Sequence, residues 1–134
     1  MKYLLDTNIC IFLLRGRREI AEKIDEAGIE NCCISEITKA ELLLGLKLAG
    51  NRLSARAVDS TYAFINSMRT LPISPAIESF VDNKARLMKD GNVLEDFDLL
   101  IGCTAVSMNL VMVTDNISHL NRIEGIRIED WARE

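Results

Sequence analysis

Leu110-Val111-Met112-Val113-Thr114-Asp115-Asn116 is the stretch whose reading decides the fold. Four apolar residues follow one another without polar alternation, the pattern of a strand covered on both faces, as strands of parallel sheets are. Asp115 then stands where the strand gives way to a turn. Working outward, Lys2–Asp6, Cys32–Ser35, Thr70–Ser74 and Ile126–Ile128 read as four more short strands. Helical spacing fills the intervals at about Ile9–Leu14, Arg18–Glu26, Glu36–Leu48, Ser54–Met68, Pro75–Lys89 and Asp96–Met108, with a short turn near Ser118–Arg122. Pro75 suits a first helical position, Asp90-Gly91 closes that helix, and Ala49-Gly50-Asn51 breaks the one before Ser54. Strands alternating with helices specify an α/β domain with a mainly parallel sheet.

The 134 residues fit a single domain spanning 1–134, large enough to bury a proper core. A composition of 49% hydrophobic and 27% charged residues, with a mean hydropathy of +0.11, belongs to a globular protein. The net charge of −4 and pI near 5.1 argue against broad adhesion to nucleic acid but leave room for a local basic rim. Cys10, Cys32, Cys33 and Cys103 show no zinc spacing and read as buried, reduced thiols. The apolar run before Asp6 is too short for a signal peptide, and no stretch is long enough to span a membrane, so the expected location is cytoplasmic.

Chemistry is narrowed by what is missing. With His119 as the single histidine, the chain can neither run a two-histidine acid–base mechanism nor build a histidine-rich zinc site. Carboxylates must carry any hydrolysis, and four stand at suggestive places. Asp6 closes the first strand and Asp115 the fourth, so both face the crevice beyond the carboxyl edge of the sheet, where α/β proteins bind ligands. Glu41 shares a helix face with Thr38 and Gly45, while Ile37, Ala40, Leu44 and Leu48 mark the expected core stripe of that helix. Asp98 opens a helix apolar nearly all round, with Asp96 expected to sit one layer further out. Singly, each acid has a plainer reading: a helix cap for Asp6, a solvated surface for Glu41, an Asx turn for Asp115. Collected at one edge they would repel one another, and a divalent cation would relieve that repulsion. Hard oxygen donors favour Mg²⁺ or Mn²⁺. Metal-activated water could then cleave a phosphodiester without histidine.

Order and spacing bring a family into view. Tyr3-Leu4-Leu5-Asp6-Thr7-Asn8-Ile9, Ser35-Glu36-Ile37-Thr38-Lys39-Ala40-Glu41-Leu42 through Gly45, Asp98-Leu99-Leu100-Ile101, Val113-Thr114-Asp115-Asn116 and Ile126-Arg127-Ile128-Glu129-Asp130-Trp131 together resemble the PIN-domain ribonucleases, specifically the VapC toxins of toxin–antitoxin pairs. The resemblance implies a three-layer α/β/α sandwich, Mg²⁺- or Mn²⁺-dependent endoribonuclease activity on tRNA or rRNA, homodimerisation, and a VapB-like antitoxin whose tail occupies the groove. By position it carries Asp6, Glu41 and Asp98 onto the acidic triad and Asp115 onto a fourth place that varies between acid and amide. Asp6 and Asp98 become the metal ligands, with Glu41 and Asp115 acting directly or through water. Thr7, Asn8, Thr38, Asp96, Thr114 and Asn116 become their outer partners. Gly102-Cys103 departs from the two alanines more usual in the family, a matter of packing rather than catalysis.

RNA reaching an acidic site needs cations at its rim, for which Arg15, Arg17 and Arg18 near the first helix, with Lys39 and Lys47 on the Glu41 helix, are the candidates. The rivals are weaker. A phosphatase of the haloacid dehalogenase type wants a second acid where Asn8 stands, and a receiver domain wants an acidic pair after the first strand. From another class comes a catalytically silent module that binds RNA or antitoxin and holds metal poorly.

Overall fold

A computed structural model describes residues 1–132. Its sheet has five parallel strands in the order β3-β2-β1-β4-β5, with β1 Tyr3–Leu5, β2 Cys32–Ser35, β3 Arg69–Leu71, β4 Val111–Val113 and β5 Ile128–Glu129. Seven α-helices occur among the described residues: α1 Thr7–Leu14, α2 Arg18–Ala27, α3 Glu36–Ala49, α4 Ala55–Ser67, α5 Ile77–Lys89, α6 Asp96–Ser107 and α7 Ile117–Leu120. The expected strand at Thr70–Ser74 lies a little earlier, because Ser74–Ala76 turns into a single 3₁₀ coil with Pro75 inside it. The last strand sits two residues later than its apolar run, where it pairs Met112 with Ile128 and Val113 with Glu129.

Strand alternation sorts the core into two layers. Leu4, Cys33 and Met112 pack with Leu87 of α5 and with Leu99, Ile101 and Cys103 of α6 on one face. Leu5, Cys32, Ile34 and Val113 pack with Ile9, Ile20, Ile24, Ile65 and Trp131 on the other. The adjacent Cys32 and Cys33 therefore point to opposite faces, and all four cysteines are free and buried. Burial pushes the Cys32 and Cys33 thiols up to about 11, which keeps them unreactive.

The core stripe expected on α3 is not the buried one. Thr38 and Leu42 are buried, whereas Leu44 and Leu48 are 56% and 71% exposed. Helix α3 packs through its Thr38 edge onto α1 and leaves a leucine ridge in solvent. Gly102, by contrast, has a packing reason, since a Cβ there would overlap Ile123 Cδ1. Gly102→Ala should gain about 1 kcal/mol of helix propensity yet lose about 1–3 kcal/mol to overpacking. Denaturant titration should show Gly102→Ala, Ile123→Val more stable than the sum of its parts by roughly 1 kcal/mol. Strict additivity would mean that Ile123 simply rotates aside.

The order 3-2-1-4-5 reverses direction at β1, which has β2 on one side and β4 on the other. A crevice opens there beyond the strand ends.

Candidate active site

Asp6 is the first residue beyond β1 and is 5% exposed. Its backbone N–H donates to Val113 O at 2.9 Å, which stitches it to the end of β4. One carboxylate oxygen, Oδ1, accepts from the Thr7 N–H at 2.9 Å, so Asp6 does cap α1. The other, Oδ2, accepts from the Thr114 hydroxyl at 2.7 Å, and Thr114 is wholly buried. Capping and site membership are thus one arrangement rather than alternatives.

Glu41 is joined to this centre through threonines. The Thr7 hydroxyl donates to Glu41 Oε1 at 2.7 Å, and since it has one proton, the Thr38 hydroxyl 2.9 Å away must donate to it. The chain Thr38 to Thr7 to Glu41 fixes the carboxylate against α1. Asp98 enters from the first turn of α6.

A groove of about 290 Å³ is lined by Asp6, Thr7, Asn8, Glu41, Asp98 and Asn116, with Ile11, Leu44, Gly45 and Leu48 along one side. Burial, opposed by the bonds from Thr114 and Thr7 and aided by the charges of Asp98 and Glu41, pushes the Asp6 carboxyl up to about 6. Asp98 is raised as well, first by burial and then by Glu95 and Glu41, while His119 pulls it the other way. Repulsion among Asp6, Glu41 and Asp98 places the three within one electrostatic neighbourhood.

Other expected residues fall elsewhere. Asp115 is exposed and does not line the groove; its neighbour Asn116 does. Asp96 is also exposed and pairs with Lys84 at 2.5 Å, tying α6 to α5. Arg17 is spoken for: its guanidinium lies over Phe12 at 4.5 Å, pairs with Glu19 and donates to Ala132 O at 2.9 Å. Arg15, Arg18 and Lys39 are exposed and make no ion pair among the described residues. Residues not singled out as site members in the sequence, Leu44 and Leu48, follow Glu41 at three- and seven-residue spacing, the signal that would have found them.

The PIN domain family model matches residues 3–125. This chain belongs to the PIN-domain family. Within it, the chain belongs with the VapC ribonucleases: it is 32% identical to the tRNA(fMet)-specific endonuclease VapC of Salmonella typhimurium, the match covering 98% of this chain and 99% of that one. It is 31% identical to Ribonuclease VapC2 of Haemophilus influenzae, over 98% and 99%. Among solved structures, a DNA-bound VapBC from Salmonella typhimurium superposes with a TM-score of 0.87 at 33% identity, covering 98% of this chain and 99% of that chain. VapBC-1 from nontypeable Haemophilus influenzae gives 0.85 at 29%, covering 99% and 100%. The three-layer parallel architecture read from the PIN resemblance is the one these proteins share.

Among the described residues no three His, Cys, Asp or Glu side chains form a ready-made metal cage. The PIN-domain groove nevertheless suits a hard divalent cation, because Mg²⁺ keeps several waters and takes only one or two carboxylates. Two raised carboxyl groups lining one wet groove are such a donor set.

Proposed function

We propose that this chain is the toxin of a VapBC-type pair, an endoribonuclease dependent on Mg²⁺ or Mn²⁺ and acting on tRNA or rRNA in the cytoplasm. The observation that carries the reading is the burial of Asp6 beside Glu41 and Asp98 in an open groove. Such crowding destabilises the metal-free fold and is explained by a cation that the acids bind. Asp6 and Asp98 would hold it, with Glu41 reaching it directly or through water. When bound, the ion lowers the pKa of water and neutralises charge on the phosphodiester. The chain's own residues supply orientation. Thr114 and the Thr7 N–H hold the two Asp6 oxygens in place, and Thr38 and Thr7 hold Glu41. Asn116 takes the fourth place at the groove in preference to Asp115.

Leu44 and Leu48 form an apolar lip suited to the tail of a VapB-like antitoxin, which would close the groove by covering the ridge. Ile77, Val81 and Met88 of α5 and Phe97 of α6 are also exposed, apolar surface for a second copy in a homodimer. No helix among the described residues is long and apolar enough to cross a membrane. Arg15, Arg18 and Lys39 remain as cations for RNA, and the domain is taken to run over 1–134, of which the last two residues lie outside those described.

Total RNA incubated with purified protein and Mg²⁺ or Mn²⁺ should yield discrete fragments that EDTA suppresses. RNA left intact under every condition would move the reading to the silent binding module.

A further inference from the structure

We infer that His119 is a positioning residue for the cleavage reaction: its Nδ1 holds the Asn116 side-chain amide so that only N–H donors are turned toward the RNA phosphate. The inference rests on the ribonuclease reading above.

His119 Nδ1 lies 2.7 Å from Asn116 Oδ1, and an amide oxygen can only accept, so the proton of this bond sits on Nδ1. The Ser118 hydroxyl is 3.3 Å from the same nitrogen, a longer contact than that to Asn116. With Oδ1 occupied, the Asn116 amide has Nδ2 and its two hydrogens left to offer, and Asn116 lines the groove. Nδ2 has no partner among the described residues, and it is not a buried orphan.

The composition of the groove makes that orientation matter. Its lining side chains are three carboxylates, a threonine, aliphatic residues and two amides, Asn8 and Asn116. Among the described residues no lysine or arginine lines it. A phosphodiester entering this acidic setting is attracted by an amide N–H and repelled by an amide oxygen, so a flipped Asn116 would add to the repulsion it should offset. The imidazole removes that choice.

The same turn is fixed from its other end. The Asn116 N–H donates to Thr114 Oγ1 at 3.0 Å, and that hydroxyl donates to Asp6 Oδ2. His119, Asn116, Thr114 and Asp6 therefore form one hydrogen-bonded series from the protein surface to the buried carboxylate.

Because His119 is the single histidine, a long-range ¹H–¹⁵N spectrum shows one imidazole. Recorded at a pH where the ring is neutral, it should report protonation at Nδ1, a preference lost in Asn116→Ala. A ring protonated at Nε2 in the wild type overturns the inference. In RNA cleavage, His119→Ala should lower kcat by about ten- to a hundredfold at unchanged melting temperature, and His119→Asn, whose amide nitrogen reaches the Nδ1 position, should restore most of it. Equal losses in both variants, or losses that track melting temperature, would also overturn it. Wild type that leaves RNA intact would remove the ribonuclease reading and the reaction named here, while the imidazole spectrum reports the His119–Asn116 contact independently.

Discussion

Asp6→Asn is expected to abolish RNA cleavage and, in the same molecule, to raise the melting temperature of EDTA-treated protein. Loss of a carboxylate that, on the reading proposed above, holds the cation should remove several kcal/mol of transition-state stabilisation, about a thousandfold in rate. The rise in stability comes from the same group. A carboxylate 5% exposed beside Glu41 and Asp98 costs free energy when ionised, and an amide carries no charge. The two contacts can survive the exchange, since the amide oxygen can keep the Thr7 N–H while the Thr114 hydroxyl, which already accepts from the Asn116 N–H, accepts from Nδ2 as well; the loss of an acceptor for its own proton offsets part of the gain. A gain of about 1–3 kcal/mol, several degrees for a domain of this size, follows. Cleavage by Asp6→Asn at wild-type rate would take Asp6 out of the chemistry, and an inactive variant that melts lower would make it a structural cap alone.

The second large effect is the response of metal-free protein to pH. Asp6 ionises at about 6 when folded and near its ordinary 3.8 when unfolded. Between those values the folded chain keeps a proton that the unfolded chain has released, so stability is full below 3.8 and is lost as pH rises through about 6. Two units correspond to about 3 kcal/mol. Asp98, raised in the same direction chiefly by its burial, steepens the loss in both proteins and largely cancels when they are compared. EDTA-treated wild type should therefore lose stability relative to Asp6→Asn as pH is raised from about 4 to about 7.5, with most of the loss in that window. Adding Mg²⁺ at the upper end should recover it, because a ligand bound only by the folded state stabilises by mass action. A difference between the two proteins that stays flat with pH would place the Asp6 carboxyl in an ordinary, hydrated setting.

The sheet was legible because its strands are continuous apolar runs whose ends carry the punctuation, and Asp6 and Asp98 were legible because they abut such runs. What a linear pattern does not resolve is direction. After β4 the chain turns within two residues, and whether Asp115 or Asn116 faces the groove depends on the bond from the Asn116 N–H to Thr114, which periodicity does not encode. Helix α3 is misleading for another reason: it has leucines on more than one face, and the packed edge is marked by Thr38 and Leu42 while Leu44 and Leu48 stay in solvent. Arg17 looked like a cation at the groove's rim because its stacking on Phe12 and its bond to Ala132 involve residues five before and 115 after it.

Strand β1 precedes the other described strands in the chain yet sits at the centre of the sheet and is completed by β4, and the Asp6–Thr114 bond spans 108 residues. At about 5–20 residues per second, roughly 5–20 s of synthesis separate the two halves of the site. A nascent chain accordingly lacks half of the groove until β4 is made, and a message broken before the codon for Thr114 is expected to yield a chain with no assembled site. On the toxin reading proposed above, toxicity would begin only once β4 has joined β1, which leaves a cell an interval in which to have the neutralising partner already waiting.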